Sequence, residues 1–251
     1  MRPNKGFRNE RQLVYIFDQA KVGELPKPKR YILREIFGAL DDEEIIKCDV
    51  VQGMQKPDIY IEYKGIRKYL SIKTGRLGSV HQEKIETLLP FFKEVGFTDE
   101  MLFYFKLFFY RDGTADGTGE TKHTIMEMIE KYPKEVARFN EFINSDYQII
   151  EKVIDRIMFK GSHEENIAAD YLYLPDLPDE IILSRKMIMN YIHKKSWKFL
   201  HNPHIGPLQY RPHILETDNE WKKKYTHRVD FWWISLEADA KYIFDYLNDD
   251  F

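Results

Sequence analysis

Only one cysteine, Cys48, occurs among the 251 residues, so no internal disulfide can form and no cysteine-rich zinc site can be built. Long apolar runs are missing too. No stretch approaches the roughly 18 residues that a membrane-spanning helix requires, and the polar opening MRPNKGFRNERQ has no apolar signal region. A strong charge of either sign is also lacking, with 38 Lys and Arg against 41 Asp and Glu and a formal net charge of -3. That balance excludes a surface coated in positive charge but leaves room for a local basic groove, because steering depends on distribution. Internal repeats and low-complexity segments are absent as well. What the chain does have is core material, being 43% hydrophobic and 15% aromatic. The expectation is a soluble, cytoplasmic protein, either one large domain or a core with a smaller lobe.

Local patterns order the first half. Asn9 and Gln12 are spaced as a capping box, ahead of an apolar stripe of Leu13, Ile16, Phe17 and Ala20. Pro28 suits the first turn of a second helix, whose stripe is Leu33, Ile36, Phe37 and Leu40. Residues 44–51 (EIIKCDVV) read as a strand, and QGMQK as the turn after it. A hairpin follows, "DIYIEYK" and "RKYLSIK" about Gly65. Ser79 and Gln82 form a second capping-box pattern before Ile85, Leu88, Leu89 and Phe92, which predicts a helix. Residues 101–110 (MLFYFKLFFY) form an unbroken apolar run, read as a buried central strand.

Beyond the Gly- and Asp-rich loop at 111–120, helical patterns cover about 124–131, 134–144, 148–159 and 184–195. The end turns β-rich, in GPLQYRPHIL and HRVDFWWISL. The predicted fold class is α/β, with a core at 1–112 and a helical and β-rich extension at 113–251. The extension is either a second lobe or an insertion completing the same sheet.

The stretch KPDIYIEYKGIRKYLSIKTG carries the chemistry. Strand side chains alternate, so Asp58, Tyr60 and Glu62 share one face, and Ser71 and Lys73 share the corresponding face of the return strand. A tight turn at Gly65 pairs residues whose numbers sum to about 129 to 131. The odd sums set apolar against apolar, as Ile59 with Ile72 or Ile61 with Leu70, and bring Asp58 opposite Ser71 or Lys73. Asp58 offers hard oxygen ligation to Mg2+, and Lys73 an amine for an attacking water or for developing charge. One carboxylate holds Mg2+ weakly, so a second acid is needed.

Pro57-Asp58, followed thirteen residues later by Ser71-Ile72-Lys73, resembles the PD-(D/E)-x-K nuclease superfamily, in particular the restriction endonucleases with S-x-K in place of (D/E)-x-K. The resemblance covers roughly residues 9–110 and implies a restriction-endonuclease-like core, αβββαβ with a mixed central sheet. It implies an Mg2+ cofactor, or Mn2+ in its place, double-stranded DNA as substrate, and a homodimer cutting both strands. The displaced acid in that subgroup comes from the helix after the third strand, a place matched here by Glu83 and Glu86. A glutamate of the first helix often assists. Glu10 is its natural match and Glu35 the second.

Plainer readings stand beside these. Asp58 is also an ordinary aspartate after proline, Lys73 an ordinary strand-end lysine, and Ser71 a passive neighbour with no His-Asp partner at recognisable spacing. Glu62 and Lys64 spell E-x-K formally, but on Asp58's own strand. Glu83, Glu86 and Glu10 could each simply complement a helix dipole. His81 could touch a phosphate or be packed. Lys194, Lys195 and Lys198, with the nearby histidines His193, His201 and His204, and the run Lys222–Lys224, suit a nucleic-acid backbone or a solvated face. Trp232 and Trp233 belong to a buried strand unless exposed for base stacking. Two further functions stay open: a structure-selective or repair nuclease on the same core, and a nuclease-derived DNA-binding module without activity.

Overall fold

Residue spacing at the N-terminus produces two amphipathic helices. α1 (Lys5–Phe17) buries Leu13 and Phe17, with Val14 and Ile16 packed beside them. It already runs from Lys5, so Asn9 lies inside the helix instead of capping it; the apolar stripe is as expected. α2 (Lys27–Phe37) has Pro28 in its first turn, where the missing N–H costs nothing, and buries Ile32, Leu33 and Ile36. The computed structural model describes residues 5–53, 55–74, 79–162, 165–177, 180–197, 201–213 and 227–247, without the side chains of residues 5–8 and 247.

Two units divide the chain. The first comprises Met1–Arg76, Met158–Tyr191 and Leu236–Phe251; the second comprises Leu77–Ile157 and Ile192–Ser235. The boundary expected at residue 112 falls inside the second unit.

The first unit is built on a mixed five-stranded sheet of order β1-β2-β3-β5-β6. Its strands are β1 (Lys47–Val50), β2 (Ile59–Tyr63), β3 (Ile66–Ile72), β5 (Tyr171–Leu174) and β6 (Ile181–Ser184). β3 and β5 run parallel, and all other neighbours are antiparallel. In the β2–β3 hairpin Ile59 pairs with Leu70, and Ile61 with Lys68. The register therefore sums to 129, one of the two odd sums expected and the one that sets Asp58 opposite Ser71; Ile59 meets Leu70 in place of Ile72, with the same faces inward. Ile59, Ile61, Tyr63 and Leu70 join Leu13, Phe17, Ile32 and Leu33 in one core. β5 and β6 carry little sequence signal, since each is a four-residue apolar piece around the LPDLPD turn. The C-terminal helix of this unit is a further element beyond those expected.

The second unit has an antiparallel sheet of order β4-β9-β8-β7, made of β4 (Ser79–Lys84), β7 (His204–Ile205), β8 (Leu208–Pro212) and β9 (Arg228–Trp233). Ser79–Gln82, expected to open a helix, is strand instead. Its hydrogen bonds go to β9, and α3 (Ile85–Glu94) begins only afterwards.

The run at 101–110, expected to be a buried strand, is α4 (Asp99–Tyr110). Thr98 Oγ1 accepts the Met101 N–H, and Asp99 and Glu100 sit in the first turn where the dipole favours them. The helix is apolar nearly all round because Met101, Phe105, Leu107, Phe108 and Phe109 are all buried, which removes the amphipathic signal. α5 (Ile125–Lys131), α6 (Pro133–Ser145) and α7 (Tyr147–Ile154) match the expected helices, the last running on into a π-helical turn, Asp155–Lys160. α8 (Arg185–Lys194) and α9 (Leu236–Leu247) complete nine helices among the described residues. No helix among them is long and apolar enough to cross a membrane.

The helical assignment of 99–110 is directly testable. Thr98→Ala should cost about 1 kcal/mol in urea unfolding through loss of the cap. Phe105→Ala, at a fully buried position, should cost about 3–5 kcal/mol.

Candidate active site

The hairpin register positions Asp58 just before β2, opposite Ser71. Its backbone N–H donates to Leu70 O at 2.8 Å, and its carbonyl accepts from Val51 at 3.0 Å. The carboxylate then takes over where the backbone ladder stops. The Ile72 N–H donates to Asp58 Oδ2 at 2.5 Å, and Ser71 Oγ donates to the same oxygen at 3.4 Å. Ser71 is fully buried and serves to orient Asp58. On the other edge of β3, the Lys73 N–H donates to Tyr173 O at 2.9 Å, so β5 fixes the backbone from which Lys73 projects.

Lys73, Asp58 and Glu10 influence one another electrostatically. Desolvation pushes the Lys73 amine below its ordinary value, against the opposing charges of Asp58 and then Glu10. Burial, then the Asp58 charge, pushes Glu10 up, while Lys73 and Arg11 pull it down. The structure thus brings together Glu10, Asp58, Ser71 and Lys73, all within the first unit. Glu35 lies apart from them, near Tyr31 and Tyr171.

Glu83 and Glu86 belong to the second unit. Glu83, on β4 instead of a helix, is buried and held by Arg156 in a bidentate pair of 2.5 and 3.2 Å and by His81 at 3.1 Å. Burial raises its carboxyl, but hydrogen bonds from His81 and Arg156, with their charge, outweigh that and hold it below the ordinary 4.5. The Arg156 guanidinium also lies 4.4 Å from the Phe91 ring. Arg156 had no sequence signal, because it occupies one position of an otherwise ordinary helical pattern. Glu86 is exposed in the first turn of α3, as the dipole alone would favour.

The other candidates disperse. Glu62 is tied to Arg67 and Lys47, and Lys64 to Asp41, a surface network that explains the E-x-K spelling without chemistry. Lys194 is exposed at the end of α8, and Lys195 lies 5.0 Å from the Trp197 ring. Lys198 and Lys222–Lys224 lie outside the described residues. His193 pairs with Glu151 and stacks on Tyr147. His204 is buried, its ring nitrogens at 2.8 and 2.7 Å from the carbonyls of Asn202 and Trp197, so it packs. Trp233 is buried and Trp232 carries Arg211 on its ring.

Among the described residues no three His, Cys, Asp or Glu side chains converge as a metal-ligating group. Two carboxylates are nevertheless a fitting set for Mg2+, which commonly takes one or two protein carboxylates and completes its shell with water and substrate phosphate. Burial and mutual repulsion of Glu10 and Asp58 favour a cation between them.

Breaking the Glu83–Arg156 pair should be costly and pH-dependent. Arg156→Met should lower stability by about 3–5 kcal/mol at neutral pH, because it strips the main partner from a buried carboxylate. With the folded Glu83 value depressed, the pair's contribution is complete above 4.5 and fades as pH falls through the folded value. Urea unfolding of both proteins should therefore show the gap narrowing in acid.

No protein-family model matches this chain, and no curated protein matches it in sequence.

Proposed function

We propose that the chain is a Mg2+-dependent endodeoxyribonuclease with a restriction-endonuclease-like core, hydrolysing phosphodiester bonds of double-stranded DNA. The observation that carries the reading is the gathering of Glu10, Asp58 and the desolvated Lys73 at the open end of the β2–β3 hairpin. The element order adds support: helices, three antiparallel strands, then a fourth strand parallel to the third. That parallel strand is β5, not the segment at 101–110.

Asp58 and Glu10 would hold the metal, which would polarise a phosphate and make a water more acidic. Asp58 arrives oriented, since one of its oxygens is anchored by Ile72 N–H and Ser71 Oγ. Lys73 Nζ would hold the attacking water, and its charged form would steady the charge that develops on the phosphate in the transition state. A C2 pair of chains is the simplest arrangement for cutting both strands at a symmetric site.

The test is cleavage of supercoiled plasmid with Mg2+ or Mn2+. Wild-type protein should nick or linearise it, and fragments with uniform ends would mark a restriction enzyme as against a repair nuclease. Asp58→Asn and Lys73→Met should each reduce the rate by about 10²–10⁴-fold. Protein that retards DNA but never cuts, indifferent to both changes, would establish an inert binding module instead. Glu10→Gln should raise the Mn2+ concentration needed for half-maximal cleavage. Because Glu10 is raised above 4.5, the wild-type metal affinity should begin to fall at a pH above that value as the medium is acidified.

A further inference from the structure

The two sides of α1 have different surroundings. Leu13 and Phe17 are buried in the core of the first unit, and Val14 and Ile16 pack beside them. Arg11, Gln12 and Tyr15 are turned away from that core and exposed. Tyr15 keeps 88% of its surface open, more than any other large hydrophobic residue described. Residues three and four apart share one side of a helix, so these three positions adjoin one another. By the same spacing Lys5 and Arg8 occupy positions on that side.

Charge on this helix is one-sided. α1 carries Lys5, Arg8 and Arg11 against a single carboxylate, Glu10, which belongs to the set with Asp58 and Lys73. Asp18, just past the helix end, is committed to the Cys48 N–H at 3.1 Å. The outward side is therefore a basic strip on a chain whose formal net charge is -3. It also runs into the candidate active site, because Arg11 directly follows Glu10 and its charge pulls the Glu10 carboxyl down.

These features select among partners. A two-fold contact with a second copy would set the same patch against itself, so like charges would meet. A lipid surface takes up a helix through its apolar face, which α1 has already buried in the core. A phosphate backbone matches every element of the strip. The cations suit its charge, and Gln12 and the Tyr15 hydroxyl offer the hydrogen bonds that fix a protein on DNA without reading its sequence.

We propose that the outward side of α1 is a contact surface for the phosphate backbone of duplex DNA, seating the duplex beside Glu10, Asp58 and Lys73. This deepens the nuclease reading and rests on it for the identity of the substrate. Positions 5 to 15 span about 15 Å of helix at 1.5 Å per residue, the axial length of roughly four base pairs. Arg11 takes the phosphate nearest the cut, and Tyr15 one farther from it.

Fluorescence anisotropy of a labelled duplex with the full chain, in EDTA and across a range of salt, tests the surface without cleavage or metal. Arg11→Gln should weaken binding roughly tenfold at about 0.1 M salt and take about 0.9 from the salt slope, the value of one phosphate contact. Arg11→Lys should keep the slope. Tyr15→Ala should weaken binding about threefold or more with the slope unchanged, since it removes a hydrogen bond and no charge. Thermal melting of all three should match wild type, because the altered side chains are exposed. Plasmid cleavage by wild type, run in parallel, separates the two ideas. If wild type cuts while Arg11→Gln and Tyr15→Ala bind duplex as wild type does, the surface is overturned and the nuclease reading stands. If wild type never cuts but both variants lose duplex binding, the surface stands and the nuclease reading falls. Absence of duplex binding by wild type, or a dimer that Tyr15→Ala dissociates in sedimentation without change in DNA affinity, would also overturn the proposal.

Discussion

One hydrogen-bonded register holds the candidate active site in place. Pairing Ile59 with Leu70 turns Ile59, Ile61 and Leu70 into the core of the first unit and leaves Asp58 facing the N–H of Ile72. A slip of a single residue would bury the polar face and expose the isoleucines, so hydrophobic burial itself locks the site geometry. The carboxylate of Asp58 then completes the strand's hydrogen bonding where Pro57 and the chain's bend end the backbone ladder. A candidate catalytic group is in this way also a structural one: its anchoring oxygen is fixed by the strand itself, which is the preorganisation the proposed hydrolysis would need.

The sheet around that hairpin is completed from far along the sequence. β5 lies about a hundred residues after β3, yet its carbonyl at Tyr173 receives the Lys73 N–H. Between the two run most of the second unit's helices and its strand β4. A parallel neighbour always demands a crossover, and here the crossover carries helices α3–α7 and one strand of the second unit, whose other three strands come only after β6. The same length explains why Lys73, whose position depends on β5, could be suspected from the hairpin while its supporting strand was invisible.

Legibility followed physical distinctiveness. The hairpin was readable because period-two alternation, β-branched residues and a turn glycine agreed with one another. Its register was readable only to within two residues, because Ile59 meets an apolar partner at either odd sum. The run at 101–110 misled because apolar residues on nearly every side, including exposed Phe103, erase the periodicity that separates helix from strand; its length and the Thr98 cap were the remaining clues. Ser79–Gln82 misled in the opposite way, since serine and glutamine three apart are equally at home on a strand whose donors are satisfied by β9. Glu10 was reached through the family resemblance together with its place on α1, not from any pattern of its own. Arg156 could not be paired with Glu83, because a long-range ion pair leaves no local pattern.

Charge compensation separates the ionic groups that hold the fold from those suited to chemistry. Glu83 has Arg156 and His81, and buried Lys29 has Glu180 at 2.7 Å and Tyr173 at 2.8 Å. Each of these clusters pairs acid with base through short hydrogen bonds, and each is what a buried charge requires to be tolerated at all. The set around Lys73 differs, being linked by charge acting through a desolvated setting: the Asp58 and Glu10 carboxylates act on Lys73, and Lys73 and Arg11 act on Glu10. A net charge of -3 reveals neither arrangement, since a small total says nothing about how opposite charges are distributed locally.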